Sequence, residues 1–367
     1  MEKSENEKTI QQADNSQQIK CKACGGVMRY SPKTGNLKCI YCGSEQELDK
    51  TPIEIEAYDF DKWCDADEVQ LKQGEGSATQ EQTEVKCGQC GATTTLPENV
   101  SSMKCPFCGS SLVLENQKTN RFWKPGAMLP FKIDEKDGRD SYRKWLSGKW
   151  FAPTKLTRNV ASPNGFKGVY LPFWAYDAST STYYKGERGT DKVYYEERNG
   201  KKERIEETSW IYVSGTVYND FDNILVAASH TLPVSMGKVL RNWDLDNSVA
   251  FQEEFVSGFV TELYDKGFVE SLPEAKRLME QAIDSSIRNK IGGDKQRIHS
   301  KSVSYDELMF KLLLLPVWKS SFRYNDKVYN FVVNGRTGQV QGDYPVSVPK
   351  VVITSCLVIA ALILFYY

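Results

Sequence analysis

The stretch that decides the reading is Cys21-Lys-Ala-Cys24-Gly25, followed downstream by Cys39-Ile-Tyr-Cys42-Gly43. Fourteen residues separate Cys24 from Cys39. The pattern then returns as Cys87-Gly-Gln-Cys90-Gly91 and Cys105-Pro-Phe-Cys108-Gly109, again with fourteen residues between Cys90 and Cys105. Two residues between cysteines let one tight turn aim both sulfurs at a single point. A metal ion about 2.3 Å from each sulfur then closes a tetrahedron with a second such turn. Each second cysteine is followed by glycine, where the chain must turn with positive φ. The spacers hold their own turn signals, Ser31-Pro-Lys-Thr-Gly-Asn36 and Leu96-Pro-Glu-Asn99. Each unit is therefore expected to be a zinc ribbon, two knuckles carried on short β-hairpins. The expected ligands are Cys21, Cys24, Cys39 and Cys42 for one Zn2+, and Cys87, Cys90, Cys105 and Cys108 for a second.

Four thiolates fill the coordination sphere and leave no position open for water, so both ions are expected to be structural. The disulfide alternative is disfavoured because nothing in the sequence marks the chain as secreted; the polar start Met-Glu-Lys-Ser-Glu-Asn-Glu-Lys is no signal peptide. Eight of the ten cysteines belong to the ribbons, leaving Cys64 and Cys356.

The 367 residues are enough for two or three domains. With 47 basic and 48 acidic residues, the chain lacks the positive excess of a protein built to coat nucleic acid. Its 19 Tyr, 16 Phe and 8 Trp can supply a large, β-rich core. Only two histidines, His230 and His299, are present and lie far apart, which argues against a histidine-based centre.

The expected organisation is a disordered N-terminus over 1–19, ribbon one over 20–46, a polar linker over 47–84 and ribbon two over 85–115. An α+β domain with antiparallel sheet and a helical insert follows over 120–345. Within it, Asp134 reads as a helix start, with Tyr142, Trp145 and Leu146 on its apolar face. Residues 168–228 alternate and are rich in Tyr, Val and Thr, which predicts antiparallel strands with a hairpin at Arg198-Asn-Gly-Lys201. Residues 235–293 read as helical. The clearest helix opens at Ser271 with Glu274 as a capping box and stops at Gly292–Gly293. Leu171-Pro-Phe-Trp174 and Leu315-Pro-Val-Trp318 echo one another, as two related β halves would.

The C-terminus, Val351 to Tyr367, carries no charged side chain and would give about 25 Å of helix at 1.5 Å per residue. Residues 348–367 are therefore expected to form a single transmembrane helix. This tail anchor would hold the protein at the cell membrane with its N-terminal bulk in the cytoplasm.

No phosphate-binding loop, dinucleotide fingerprint, nucleophile elbow or His-Glu-x-x-His pattern is present in the sequence. The pairs Asp220/Asp222 and Asp244/Asp246 are read as loop or cap residues, and no catalytic set is expected.

The tandem cysteine pattern, the Leu-Pro-Phe-Trp stretch, the Asn334-Gly-Arg-Thr-Gly338 ending and the apolar tail together resemble a bacterial family. These are TFIIB-type zinc-ribbon membrane proteins, YdjG-like in layout and often labelled primosomal protein N′ (replication factor Y)-like. The helicase label implies an ATP site that this sequence lacks. The YdjG-like resemblance implies a docking or scaffold role beside PspA-type and SPFH-domain proteins at a membrane. The alternative is a nucleic-acid-binding regulator, with Lys20, Lys22, Arg29, Lys33 and Lys38 giving the first ribbon a basic cast.

Overall fold

A computed structural model describes residues 19–48, 55–65, 78–89, 91–95, 105, 110, 112, 117–153, 166–198, 201–230, 243–324 and 327–366. The expectations for the N-terminal 18 residues, the 96–99 turn, Cys90 and Cys108 lie outside these residues.

The strands are β1 (Met28–Ser31), β2 (Asn36–Cys39), β3 (Glu45–Gln46), β4 (Tyr58–Asp59), β5 (Thr79–Lys86), β6 (Thr93–Thr95), β7 (Gln117–Trp123), β8 (Ala127–Met128), β9 (Lys167–Arg198), β10 (Lys201–Ala227), β11 (Val249–Ala250), β12 (Val260–Thr261), β13 (Lys295–Tyr324), β14 (Lys327–Asn334) and β15 (Val340–Gly342). The α-helices are α1 (Phe60–Trp63), α2 (Glu135–Ser147), α3 (Glu253–Val256), α4 (Phe268–Ile291) and α5 (Val348–Tyr366).

The backbone of the molecule is a sheet in the order β10-β9-β13-β14-β15. Two three-stranded sheets, β1-β2-β3 and β6-β5-β7, carry the cysteine segments. The architecture is thus mostly β-sheet with a few helices, which corrects the α+β expectation. The strands expected over 168–228 are the long β9 and β10, paired antiparallel with Lys201 opposite Arg198; the turn residues Asn199 and Gly200 lie outside the described residues.

The burial pattern along β9 explains its length. From Val169 to Tyr176 every residue is buried, because layers cover both faces of the sheet there. Beyond Ala178 the strand alternates, because only one face is covered. The cover is α4, whose Ile283, Ile287 and Ile291 pack with Tyr184 and Val217. These residues recur every fourth position and so form one stripe of the helix.

The two echoing tetrapeptides come together: Leu171 of β9 stands opposite Leu315 of β13 in antiparallel register, and both are fully buried.

Asp134 caps α2 as expected, accepting from the Asp137 N–H at 2.8 Å. The α4 expectation needs correction. The helix begins at Phe268, three residues earlier, and the Ser271 hydroxyl bonds back to the Gly267 carbonyl at 2.8 Å instead of capping the end. Over 243–267 the chain is mainly irregular, with α3, a single 3-10 turn and the two-residue strands β11 and β12, so among the described residues α4 is the one long helix of the expected helical insert; residues 235–242 of that expectation lie outside them.

The tail is also corrected. Among the described residues no helix is long and apolar enough to cross a membrane. The first turns of α5 are tied to the β-rich body. Lys350 Nζ donates to the Ala152 carbonyl at 2.8 Å, and Trp150 Nε1 bonds the Thr354 hydroxyl at 3.3 Å. With Ser355 also polar, the unbroken apolar part runs from Cys356 to Phe365. That is about 15 Å of helix against a hydrocarbon layer of about 30 Å. The expected transmembrane anchor, and with it the single-pass cell-membrane location, is overturned.

Candidate metal centre

The first cysteine segment folds as the spacing requires. Cys21 N–H bonds the Gly26 carbonyl at 2.7 Å, and Gly25 N–H returns to the Cys21 carbonyl at 2.8 Å. The second knuckle repeats this, with Cys39 N–H on the Ser44 carbonyl and Gly43 N–H on the Cys39 carbonyl, at 2.8 and 3.1 Å. Gly25 and Gly43 take φ of 73° and 74°, the left-handed conformation that glycine reaches without strain.

The turns bring Cys21, Cys24, Cys39 and Cys42 together, with all four sulfurs within 4.8 Å of one another. Across the two knuckles, Cys21 Sγ lies 3.7 Å from Cys42 Sγ, and Cys24 Sγ lies 3.5 Å from Cys39 Sγ. A tetrahedron of sulfurs about 2.3 Å from a central ion has edges of about 3.8 Å, so the donor set fits a metal ion.

A residue not singled out by sequence reading completes the cluster. Ser44 Oγ sits 3.0 Å from Cys21 Sγ and 3.1 Å from Cys42 Sγ. The Ser44 hydroxyl, with the N–H groups of Cys24 and Ala23, draws the Cys21 thiol down to about 6. The Cys42 thiol is likewise lowered, first by the same hydroxyl. The sequence did hold the signal, since both units read Cys-Gly-Ser after their last cysteine, at 42–44 and 108–110.

In the second segment the described residues repeat the first. Cys87 N–H bonds the Ala92 carbonyl at 2.9 Å, Gly91 N–H bonds Cys87 at 2.8 Å, and Cys105 N–H bonds the Ser110 carbonyl at 2.6 Å. Gly91 takes φ of 76°, and Ser110 Oγ lies 3.3 Å from Cys87 Sγ. Cys87 and Cys105 are both buried.

The first ribbon is fused to the main core. Met28, Tyr30, Leu37 and Cys39 belong to the same cluster as Phe131, Tyr142, Trp318 and Phe331. Polar contacts fix its orientation: the Ser257 hydroxyl donates to the Met28 carbonyl at 2.8 Å, and Tyr30 N–H donates to the Ser257 carbonyl at 3.1 Å. Lys33 pairs with Asp134 at 2.8 Å and Lys38 with Glu45 at 3.5 Å, so two of its five basic residues serve local ion pairs.

The acidic pairs singled out in the sequence do not form paired carboxylates. Asp220 accepts from the Ser179 hydroxyl at 2.9 Å, and Asp244 grips the Arg336 guanidinium. Asp222 instead neighbours Asp177, and burial followed by that like charge raises its carboxyl. His230 sits 3.1 Å from Asp265, and His299 sits 3.3 Å from Glu187, at separate places.

No protein-family model matches the chain, and no solved structure matches it. Among curated proteins, the uncharacterized protein YdjG of Bacillus subtilis (strain 168) is 26% identical over 336 residues, which cover 90% of this chain and 91% of YdjG. The chain and YdjG are therefore distant homologues over nearly their whole lengths.

Proposed function

We propose that this chain is a zinc-ribbon interaction protein, a scaffold without catalytic chemistry of its own. In this reading Zn2+ is the ion held by Cys21, Cys24, Cys39 and Cys42, and a second Zn2+ is held by Cys87, Cys90, Cys105 and Cys108. Thiolate-only coordination gives rigidity and leaves no open position for substrate.

The observation that carries the proposal is on the second knuckle of ribbon one. Ile40 and Tyr41 lie between two ligand cysteines and are 49% and 73% exposed. The metal would hold this apolar pair rigidly, on a ribbon that is itself fused to the body. An apolar pair presented without conformational freedom suits a protein partner, because little ordering entropy opposes binding. The nucleic-acid alternative draws less support, since Lys33 and Lys38 are engaged in ion pairs.

The YdjG-like resemblance names PspA-type and SPFH-domain proteins as the partners to test. Crosslinking in intact cells, followed by affinity recovery and immunoblotting for those two classes, makes the test. Ile40→Ser/Tyr41→Ser is expected to cut recovery at least about tenfold while bound metal is unchanged. Recovery as high as wild type from this variant and from one with Cys21, Cys24, Cys87 and Cys90 all changed to serine would refute the ribbons as the docking surface.

A further inference from the structure

Strand β10 is an edge. It pairs with β9 along one side, and no strand of the described residues lies along the other. Its register with β9 is unbroken from Lys201 to Phe221, where a bulge interrupts it. The regular part from Arg204 to Asp220 extends roughly 55 Å at about 3.3 Å per residue, a long row of outward-facing backbone donors and acceptors.

Three features of this edge point to one occupant. Ile211 and Tyr212, at its middle, are 61% and 81% exposed, one on each face of the sheet. Charges of opposite sign flank them symmetrically, with Arg204 and Asp220 equally far from Tyr212 in the chain and on the same sheet face as it. The third feature is α4, which covers one face of β10 at Val217 and Val213 and ends at Ile291, before Ile211 is reached.

We propose that β10 pairs antiparallel with the β10 of a second copy, about a two-fold axis at Tyr212, to form a continuous six-stranded blade from the β10-β9-β13 layers of two chains. In that register Arg204 faces Asp220 of the other copy, Ile211 faces Val213, Glu206 faces Tyr218 and Glu207 faces Val217. No like charges meet between Glu203 and Phe221. Moving the axis to Val213 would set Glu206 against Asp220, and moving it to Ile211 would separate Arg204 from Asp220. The two copies of α4 lie on one face of the joint sheet without overlapping. Each covers the half of its own strand that faces the uncovered half of the other, and each Ile211 gains an apolar neighbour where its own helix stops. The contact is isologous and closes as a dimer.

Sedimentation equilibrium on the full-length, metal-loaded protein tests this. A dimer at micromolar concentration is expected. Arg204→Asp and Asp220→Arg should each raise the dimer dissociation constant at least about tenfold, because every dimer contains the pair twice. The combined swap should restore it, which misfolding cannot do. Ile211→Arg, on the other face of the same edge, should weaken the dimer similarly while far-UV circular dichroism is unchanged. A monomer throughout, growth beyond the dimer, or association that none of these variants alters (as contact through the exposed α5 would give) would overturn the proposal.

Discussion

The Ser44 hydroxyl lies 3.0 Å from Cys21 Sγ, and the Ser110 hydroxyl lies 3.3 Å from Cys87 Sγ. In each unit the serine that follows the last Cys-Gly reaches back to the first cysteine. A hydroxyl in this place donates to a thiolate, so it stabilises the charged form that a metal requires and fixes the knuckles against each other.

Ser44→Ala should therefore weaken metal binding at the first site by about tenfold, as read by competition with a chromophoric chelator. It should also change pH dependence. In the metal-free protein the Cys21 thiol is lowered from 9.0 to about 6. A depressed acid contributes stability that is present above its unfolded value and is lost as pH falls through the folded one. Thermal stability of metal-stripped protein should then fall between pH 9 and pH 6, and Ser44→Ala should flatten that slope. An unchanged slope would show that the hydroxyl does not set the thiolate.

Metal removal should reach beyond the ribbon. Cys21 and Cys39 share a core cluster with Phe131, Trp318 and Phe331. A chelator that removes a metal present at about a thousand times its Kd should lower stability by about 4 kcal/mol, a fall of roughly 5 °C in the main melting transition. Differential scanning calorimetry separates the cases, since an independently folded ribbon would leave that transition in place.

Arg336 is nearly buried and is held by Asp244, with Nε at 2.9 and 3.1 Å from the two carboxylate oxygens. Arg336 also donates to the Pro130 carbonyl at 3.1 Å, so the pair ties the 334–338 turn to the segment before α2. The guanidinium hydrogen bond holds the Asp244 carboxyl below its ordinary 3.8. The stabilisation is full above that value and disappears as pH falls through the lowered one, at the acid end of the range. Asp244→Ala should cost about 1–3 kcal/mol at neutral pH, because it strands a nearly buried cation, with the carboxylate's partial exposure limiting the loss. In urea titrations the gap between wild type and variant should be smaller at pH 3 than at pH 7.

Gly293 follows the end of α4 with φ of 76°, and a Cβ there would lie 2.6 Å from the Gly189 carbonyl oxygen. The β9 backbone cannot yield without breaking its ladder with β13. Gly293→Ala should destabilise by about 2 kcal/mol or more by denaturant titration, whereas an effect below about 0.5 kcal/mol would show that the turn relaxes freely.

The cysteine spacing fixed the knuckles unaided, because a CxxCG turn is a local event that a few backbone bonds and one positive φ decide. The α2 cap at Asp134 was legible for the same reason. Ser44 was in plain view as part of a repeated Cys-Gly-Ser, yet its role depends on a sulfur brought to it from Cys21. Ser271 looked like a helix start on local grammar, but packing of Phe268 against Trp174 and Phe310 moved the start upstream.

What the tertiary structure alone decided is everything that rests on distant partners. β9 and β10 run long because they pair with each other from Phe173 to Arg198 and β13 lies along the other side of β9, a stability no alternation pattern states. Leu171 and Leu315 meet because the chain returns antiparallel after α4. The first ribbon is welded to the body by Tyr30 and Ser257, which lie far apart in sequence. The apolar tail read as a span until Lys350 and Thr354 proved to be tied to Ala152 and Trp150. Spacing governs what neighbours in sequence can do, whereas burial and register follow from which remote surfaces pack, and that is settled only when the whole chain competes for the same core.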